Sequence, residues 1–257
     1  SLTELEADAF RRCTALTGVP FPDHVTRIGA GAFSGCTRLA SVAMPKELEE
    51  LEGSSFLDKE SGVFSGCTRL TSVVIPEGTK KIGDACFYNC KKLSHVELPL
   101  SLKRIGKCAL EMTAVQQVDN SVPLMMAGCK IGVHELRDCF WSPDNWESAA
   151  AVYLTQAGRA AARAEGMLID HLPQTIQVLE KLLLQYGRPP HYEKAAKFLM
   201  NQYEVQKHPE QLQGLYTAAQ KCGAKKAAAL LETLLPQGNA GEAENDPFAF
   251  LRKEFQF

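Results

Sequence analysis

An internal repeat constrains this chain more than any other feature. Ala9-Phe10-Arg11-Arg12-Cys13, Ala32-Phe33-Ser34-Gly35-Cys36, Val63-Phe64-Ser65-Gly66-Cys67 and Cys86-Phe87-Tyr88-Asn89-Cys90 share one pattern, with the Phe positions separated by 23, 31 and 23 residues. The middle interval, 31 less 23, holds an insertion of eight residues, placed within 52–62. Each Cys leads into an apolar triplet at i, i+3 and i+5: Leu16, Val19, Phe21; Leu39, Val42, Met44; Leu70, Val73, Ile75; Leu93, Val96, Leu98. A proline closes each triplet, at Pro22, Pro45, Pro76 and Pro99, and a second apolar anchor follows at Ile28, Leu51, Ile82 or Ile105. No unit of this size buries its apolar side alone, so the units must stack on one another into a solenoid, one coil per repeat.

The triplet has the L-x-x-V-x-φ form of a leucine-rich-repeat strand, with alternate side chains pointing into the core and out of it. The Ile-Gly-x-x-Ala-Phe-x-x-Cys block is complete at Ile28 to Cys36 and recurs in degraded form at Ile82 to Cys90 and Ile105 to Leu110. Over about Leu2 to Val118 these residues resemble the 23-residue, BspA-like class of leucine-rich repeats. That resemblance implies a right-handed solenoid of short parallel strands, serving as a non-catalytic protein-interaction scaffold within a longer bacterial protein. The chain departs from the pattern at the insertion and after Leu110, where Thr113 stands in the Cys place and the strand falls to Val115 and Val118. The resemblance also implies a cell-surface or secreted setting. Nine cysteines, an odd number in a chain long enough for an ordinary core, read instead as unpaired thiols equally at home in a cytoplasm, so the compartment stays open.

Beyond Trp141 the punctuation changes to helical runs bounded by Pro and Gly. Ser142-Pro143-Asp144-Asn145 reads as the start of a helix through Trp146, Ala150, Tyr153 and Leu154. Further helices are predicted at 160–171, 173–186, 191–206, 209–222 and 224–235, with apolar stripes such as Ile176, Leu179, Leu183, Tyr186 that require partners in a bundle or a short run of helical hairpins. The expected fold class is therefore α+β overall: a solenoid over 1–122, a capping or junction segment over 123–141 and an all-α domain over 142–236. A linker and apolar tail, carrying Phe248, Phe250, Phe255 and Phe257, occupy 237–257 and are expected to dock onto the chain's own helices or a partner.

Lys plus Arg at 28 against Asp plus Glu at 30 leave a net charge of −2, no overall footprint for nucleic acid, and no apolar run approaches the ~18 residues of a membrane span. The glycines of Gly29-Ala30-Gly31-Ala32-Phe33-Ser34-Gly35 lie in the repeat register and lack dinucleotide-loop spacing, so no cofactor is expected. Cys129, His134 and Cys139 match no standard zinc spacing, and nucleophile-elbow, phosphate-loop and His-Glu-x-x-His motifs are missing, so no metal or catalytic residue is assigned. Cys13, Cys36, Cys67 and Cys90 read as a column of buried, reduced thiols, interrupted between Cys36 and Cys67 by the longer interval.

The positive candidate is the outward side of the triplet strands: Gly18 and Pro20, Ser41 and Ala43, Ser72 and Val74, His95 and Glu97. Small side chains there either admit the backbone of a protein partner or merely permit tight curvature. Leu2-Thr3-Glu4-Leu5 shares the phase of Val25-Thr26-Arg27-Ile28, so the first coil lacks its strand, and preceding coils or another chain are expected to cover that end. The leading expectation is a non-enzymatic interaction module. The alternatives are a targeting arm attached to a helical enzyme or nucleotide-responsive domain, and a structural or adhesion protein.

Overall fold

The computed structural model describes residues 2–54, 58–132, 145–202 and 205–236. Two rows of parallel strands run along the solenoid. Six two-residue strands, β1 (Glu4–Leu5), β3 (Arg27–Ile28), β5 (Glu50–Leu51), β7 (Lys81–Ile82), β9 (Arg104–Ile105) and β10 (Lys130–Ile131), form one sheet in that order. Their second residues are the apolar anchors of the sequence, brought into register as Leu5, Ile28, Leu51, Ile82, Ile105 and Ile131. The triplets form the other row: β2 (Gly18–Pro20), β4 (Ser41–Ala43), β6 (Ser72–Val74) and β8 (His95–Glu97), with Val73 and Val96 buried. This row is two separate pairs, β2-β4 and β6-β8. The inserted residues lie on the path from β5 to β6, and there the second ladder is lost. Val115 and Val118 are buried but form no strand.

The coils are held in step by side chains as well as backbone. Phe10, Phe33, Phe64 and Phe87 stack with centroids 5.4, 5.3 and 5.4 Å apart and planes within 7°. The last three are fully buried, worth about 1.5–3 kcal/mol each from burial alone. Beside them the thiols form a ladder of their own: Cys36 Sγ donates to Phe10 O at 3.1 Å, Cys67 Sγ to Phe33 O at 3.2 Å and Cys90 Sγ to Phe64 O at 3.1 Å. The column is thus continuous across Cys36 and Cys67, contrary to the interruption expected from the 31-residue interval. Across the insertion, Phe33 N–H to Val63 O at 2.8 Å keeps the register. Cys13 corrects a second expectation, for it is exposed, whereas Cys36, Cys67 and Cys90 are buried.

The Phe-x-x-Cys turn has one left-handed residue per coil, at Arg12, Gly35, Gly66, Asn89 and Met112, with φ between 57° and 72°. The Gly of Ile-Gly answers a different demand, close approach: a Cβ on Gly83 would lie 2.0 Å from Gly53 N.

The last coil carries α1 (Ser121–Met126) ahead of β10; its Leu124, Met125 and Met126 are buried and it packs on α2 (Trp146–Thr155). Asn145 caps α2, its Oδ1 accepting from Ser148 N–H at 3.0 Å, while 142–144 lie outside the described residues. Next come α3 (Gly158–Asp170), α4 (Leu172–Tyr186), α5 (Pro189–Met200), α6 (Pro209–Lys221) and α7 (Lys225–Leu234). Of the two arrangements expected, the run of hairpins is the one found: α2, α4 and α6 pack in succession, α3 lies on α2, and α7 lies on both α5 and α6. Tyr192 Oη donates to Leu183 O at 2.7 Å, tying α5 to α4. The predicted 191–206 helix is shorter than expected, ending at Met200, where the N–H of Asn201 still bonds back to Phe198 O. Val205–Lys207 is a separate 3-10 turn.

Candidate functional site

The pairing register brings the expected outward positions together two coils at a time. Gly18 lies beside Ser41 and Pro20 beside Ala43; Ser72 lies beside His95 and Val74 beside Glu97. Seven of the eight are exposed and Gly18 is half-buried, and among them Val74 is an apolar strand residue 53% exposed. At Gly18 a Cβ would find its nearest neighbours, Ser41 O and Oγ, at 3.9 Å, an ordinary contact. Coil packing therefore does not require glycine there. The row becomes polar at its far end, where the His95 ring and Glu97 carboxylate are 3.0 Å apart.

On the opposite, Phe-turn side, the inserted segment forms a strap. Arg11 Nη1 donates to Ser61 Oγ at 3.1 Å, the Ser34 hydroxyl donates to Glu60 O, and Lys59 Nζ reaches Glu111 at 2.8 Å while lying 5.2 Å from the Tyr88 ring centroid. Contacts from the insertion thus run from the first coil to the fifth. Between strap and turns lies a cavity of about 270 Å³ lined by Arg12, Thr37, Glu60, Thr68, Tyr88 and Asn89, among others. The buried Asn89 Oδ1 accepts no hydrogen bond.

The repeat thiols are poor nucleophiles. Burial pushes the Cys67, Cys86 and Cys90 thiols well up, and that of Cys129 up to about 12. All eight described cysteines are unpaired. Among the described residues no three His, Cys, Asp or Glu side chains converge as metal ligands. His134 and Cys139 lie outside the described residues, as does the Phe-rich tail.

In the helical part, Lys194 Nζ donates to Gln156 O at 3.0 Å and lies 4.8 Å from the Tyr153 centroid; burial lowers its pKa and raises that of Tyr153 to about 12. The neighbouring His191 is held below its usual pKa by burial and by Arg188 and Lys194. These groups pack against helices, and none of them lines the 410 Å³ cavity beside α6 and α7, whose polar side chains Gln220, Lys225 and Glu232 are exposed. No described helix is long and apolar enough to cross a membrane.

A family profile described as "BspA type Leucine rich repeat region (6 copies)" matches residues 58–125. Residues 58–125 are thus a BspA-type leucine-rich repeat region. Solved structures of bacterial proteins are similar to this chain in sequence. The Treponema (T. pallidum) leucine-rich repeat protein is 33% identical over 45% of this chain and 51% of its own, with a TM-score of 0.41. A leucine-rich cell-surface protein from Faecalibacterium prausnitzii is 27% identical over 55% of this chain and 33% of its own, with a TM-score of 0.40. The chain thus spans about half the length of the first and a third of the second. Among curated proteins nothing matches. Leucine-rich repeats of this type suggest a protein-interaction or surface repeat module.

The sequence reading missed the charged outer side of the six-stranded sheet. Its signal was present in the residue before each apolar anchor: Glu4, Arg27, Glu50, Lys81, Arg104, Lys130.

Proposed function

We propose that this chain is a non-enzymatic protein–protein interaction module that receives a protein partner on the outward row of β2, β4, β6 and β8. The observation that carries the reading is the exposure of the small and apolar residues Pro20, Ser41, Ala43, Ser72 and Val74, beside a Gly18 whose size packing does not dictate. Backbone exposed between small side chains favours close approach by another chain, and an exposed apolar residue at the centre of such a patch gains about 25 cal/mol for each Å² it buries.

The test is capture of a partner from the source organism, followed by affinity measurement with purified components for the wild type and for Ser41→Arg with Ser72→Arg. Both positions are exposed on their strands, so the variant keeps its helical circular dichroism and melting temperature. Binding at least about tenfold weaker is expected, the equivalent of ~1.4 kcal/mol. Unchanged affinity in a folded variant refutes the assignment of this row.

A further inference from the structure

The exposed side of the six-stranded sheet is divided by charge along the solenoid axis. On the first three strands and their flanking positions stand Glu4, Glu6, Arg27, Glu49, Glu50 and Glu52, five acids and one base. On the last three stand Lys80, Lys81, Lys103, Arg104 and Lys130, five bases, with Asp84, two residues beyond β7, paired to Arg104 at 3.4 Å. At the border the two halves neutralise one another, through Lys80 to Glu49 at 2.9 Å and Lys81 to Glu50 at 2.5 Å. Towards the ends they do not. The side chains of Lys103 and Lys130 are exposed and have no hydrogen-bond or ion-pair partner among the described residues, and the same holds for the side chains of Glu4 and Glu6 at the other end. Between β9 and β10 a shallow cavity of about 150 Å³ has Ile105, Ile131 and Gly132 in its lining beside Arg104, Lys107 and Lys130.

We propose that this sheet face is a second docking strip, for an extended protein segment whose charge changes sign along its length, acidic where it meets Lys103, Arg104 and Lys130. Six strands spaced about 4.8 Å span about 24 Å, roughly the length of seven extended residues. Across the strands the charged positions cover three residues, so the strip offers on the order of 300 Å², a single peptide's width and far below the ~800 Å² per partner of a stable dimer. A uniform polyanion fits less well. One strand spacing from Lys81, about 5 Å and inside the ~8 Å Debye length, it meets Glu49, Glu50 and Glu52 on and beside β5.

Fluorescence anisotropy with the full chain tests this, using a labelled peptide of four Glu, two Ala and four Lys against a peptide of the same composition with Glu and Lys alternating. Duplex DNA serves as the polyanion probe. The block peptide is expected to bind about tenfold tighter than the alternating one, and to be released as ionic strength approaches about 1 M. K103E with K130E should remove that preference, and K103Q with K130Q should weaken it, in proteins whose melting temperatures match the wild type. Equal binding of the two peptides, tighter binding of DNA, or a block-peptide affinity indifferent to both double variants would each overturn the proposal. Self-association that the block peptide does not displace would overturn it in favour of a second copy as occupant.

Discussion

At the scale of single residues, Cys36, Cys67 and Cys90 each place a thiol against the carbonyl of the coil before. Replacing Cys67 with Ala takes the thiol from Phe33 O, which still accepts from Cys36 N–H, and opens a small cavity, and should cost about 1–2 kcal/mol in urea unfolding. Two glycine-linked substitutions should move stability in opposite directions. Gly83→Ala drives a Cβ into the backbone of the neighbouring coil, where no side chain can yield, and should cost more than about 3 kcal/mol. Asn89→Gly relieves a left-handed φ of 58° and removes the buried Oδ1 that has no donor, so it should be neutral or stabilising by up to about 1 kcal/mol. Burial of the repeat cysteines was legible because their spacing equals one coil. The exposure of Cys13 was not, because a thiol's environment in a solenoid is set by its neighbour, which a pattern read one repeat at a time does not contain.

Among the elements, the Phe column and the strap are separate sources of cohesion. Phe64→Ala breaks the column at its centre, removing stacking on both Phe33 and Phe87, and should cost about 3–5 kcal/mol. The strap was visible in the sequence only as an insertion, with nothing to indicate that Lys59 reaches Glu111 and Ser61 receives Arg11. The triplet strands were legible from alternation. The two-residue strands were not, since two residues give no period, and their continuous six-stranded sheet became apparent only when the anchors were stacked in register. Helix positions followed from apolar stripes and terminal Pro and Gly. Which helix packs on which did not, because a stripe specifies a need for apolar cover and not the identity of the cover.

For the whole molecule, the buried thiols predict an alkaline limit to stability. Their folded pKa values are raised, about 12 at Cys129 against an ordinary 9.0, so the folded state keeps protons that the unfolded state releases. Below pH 9 both states hold them and stability does not depend on these groups. From pH 9 upward each protected thiol should subtract about 1.4 kcal/mol per pH unit, until its folded pKa is passed. Urea midpoints that stay flat between about pH 9 and 11 would contradict the burial described. The eight outward positions of the second row could be named from alternation alone, but not the gap between β4 and β6 that divides them into two pairs.

The most direct test of a partner-binding row is site-specific photocrosslinking. A benzoylphenylalanine placed at His95, at the polar end of the row, should join the chain covalently to the captured partner, while the same group at the exposed Glu232 of α7 should not. An adduct formed equally from Glu232, or none from His95 while the partner still co-elutes, would contradict the account.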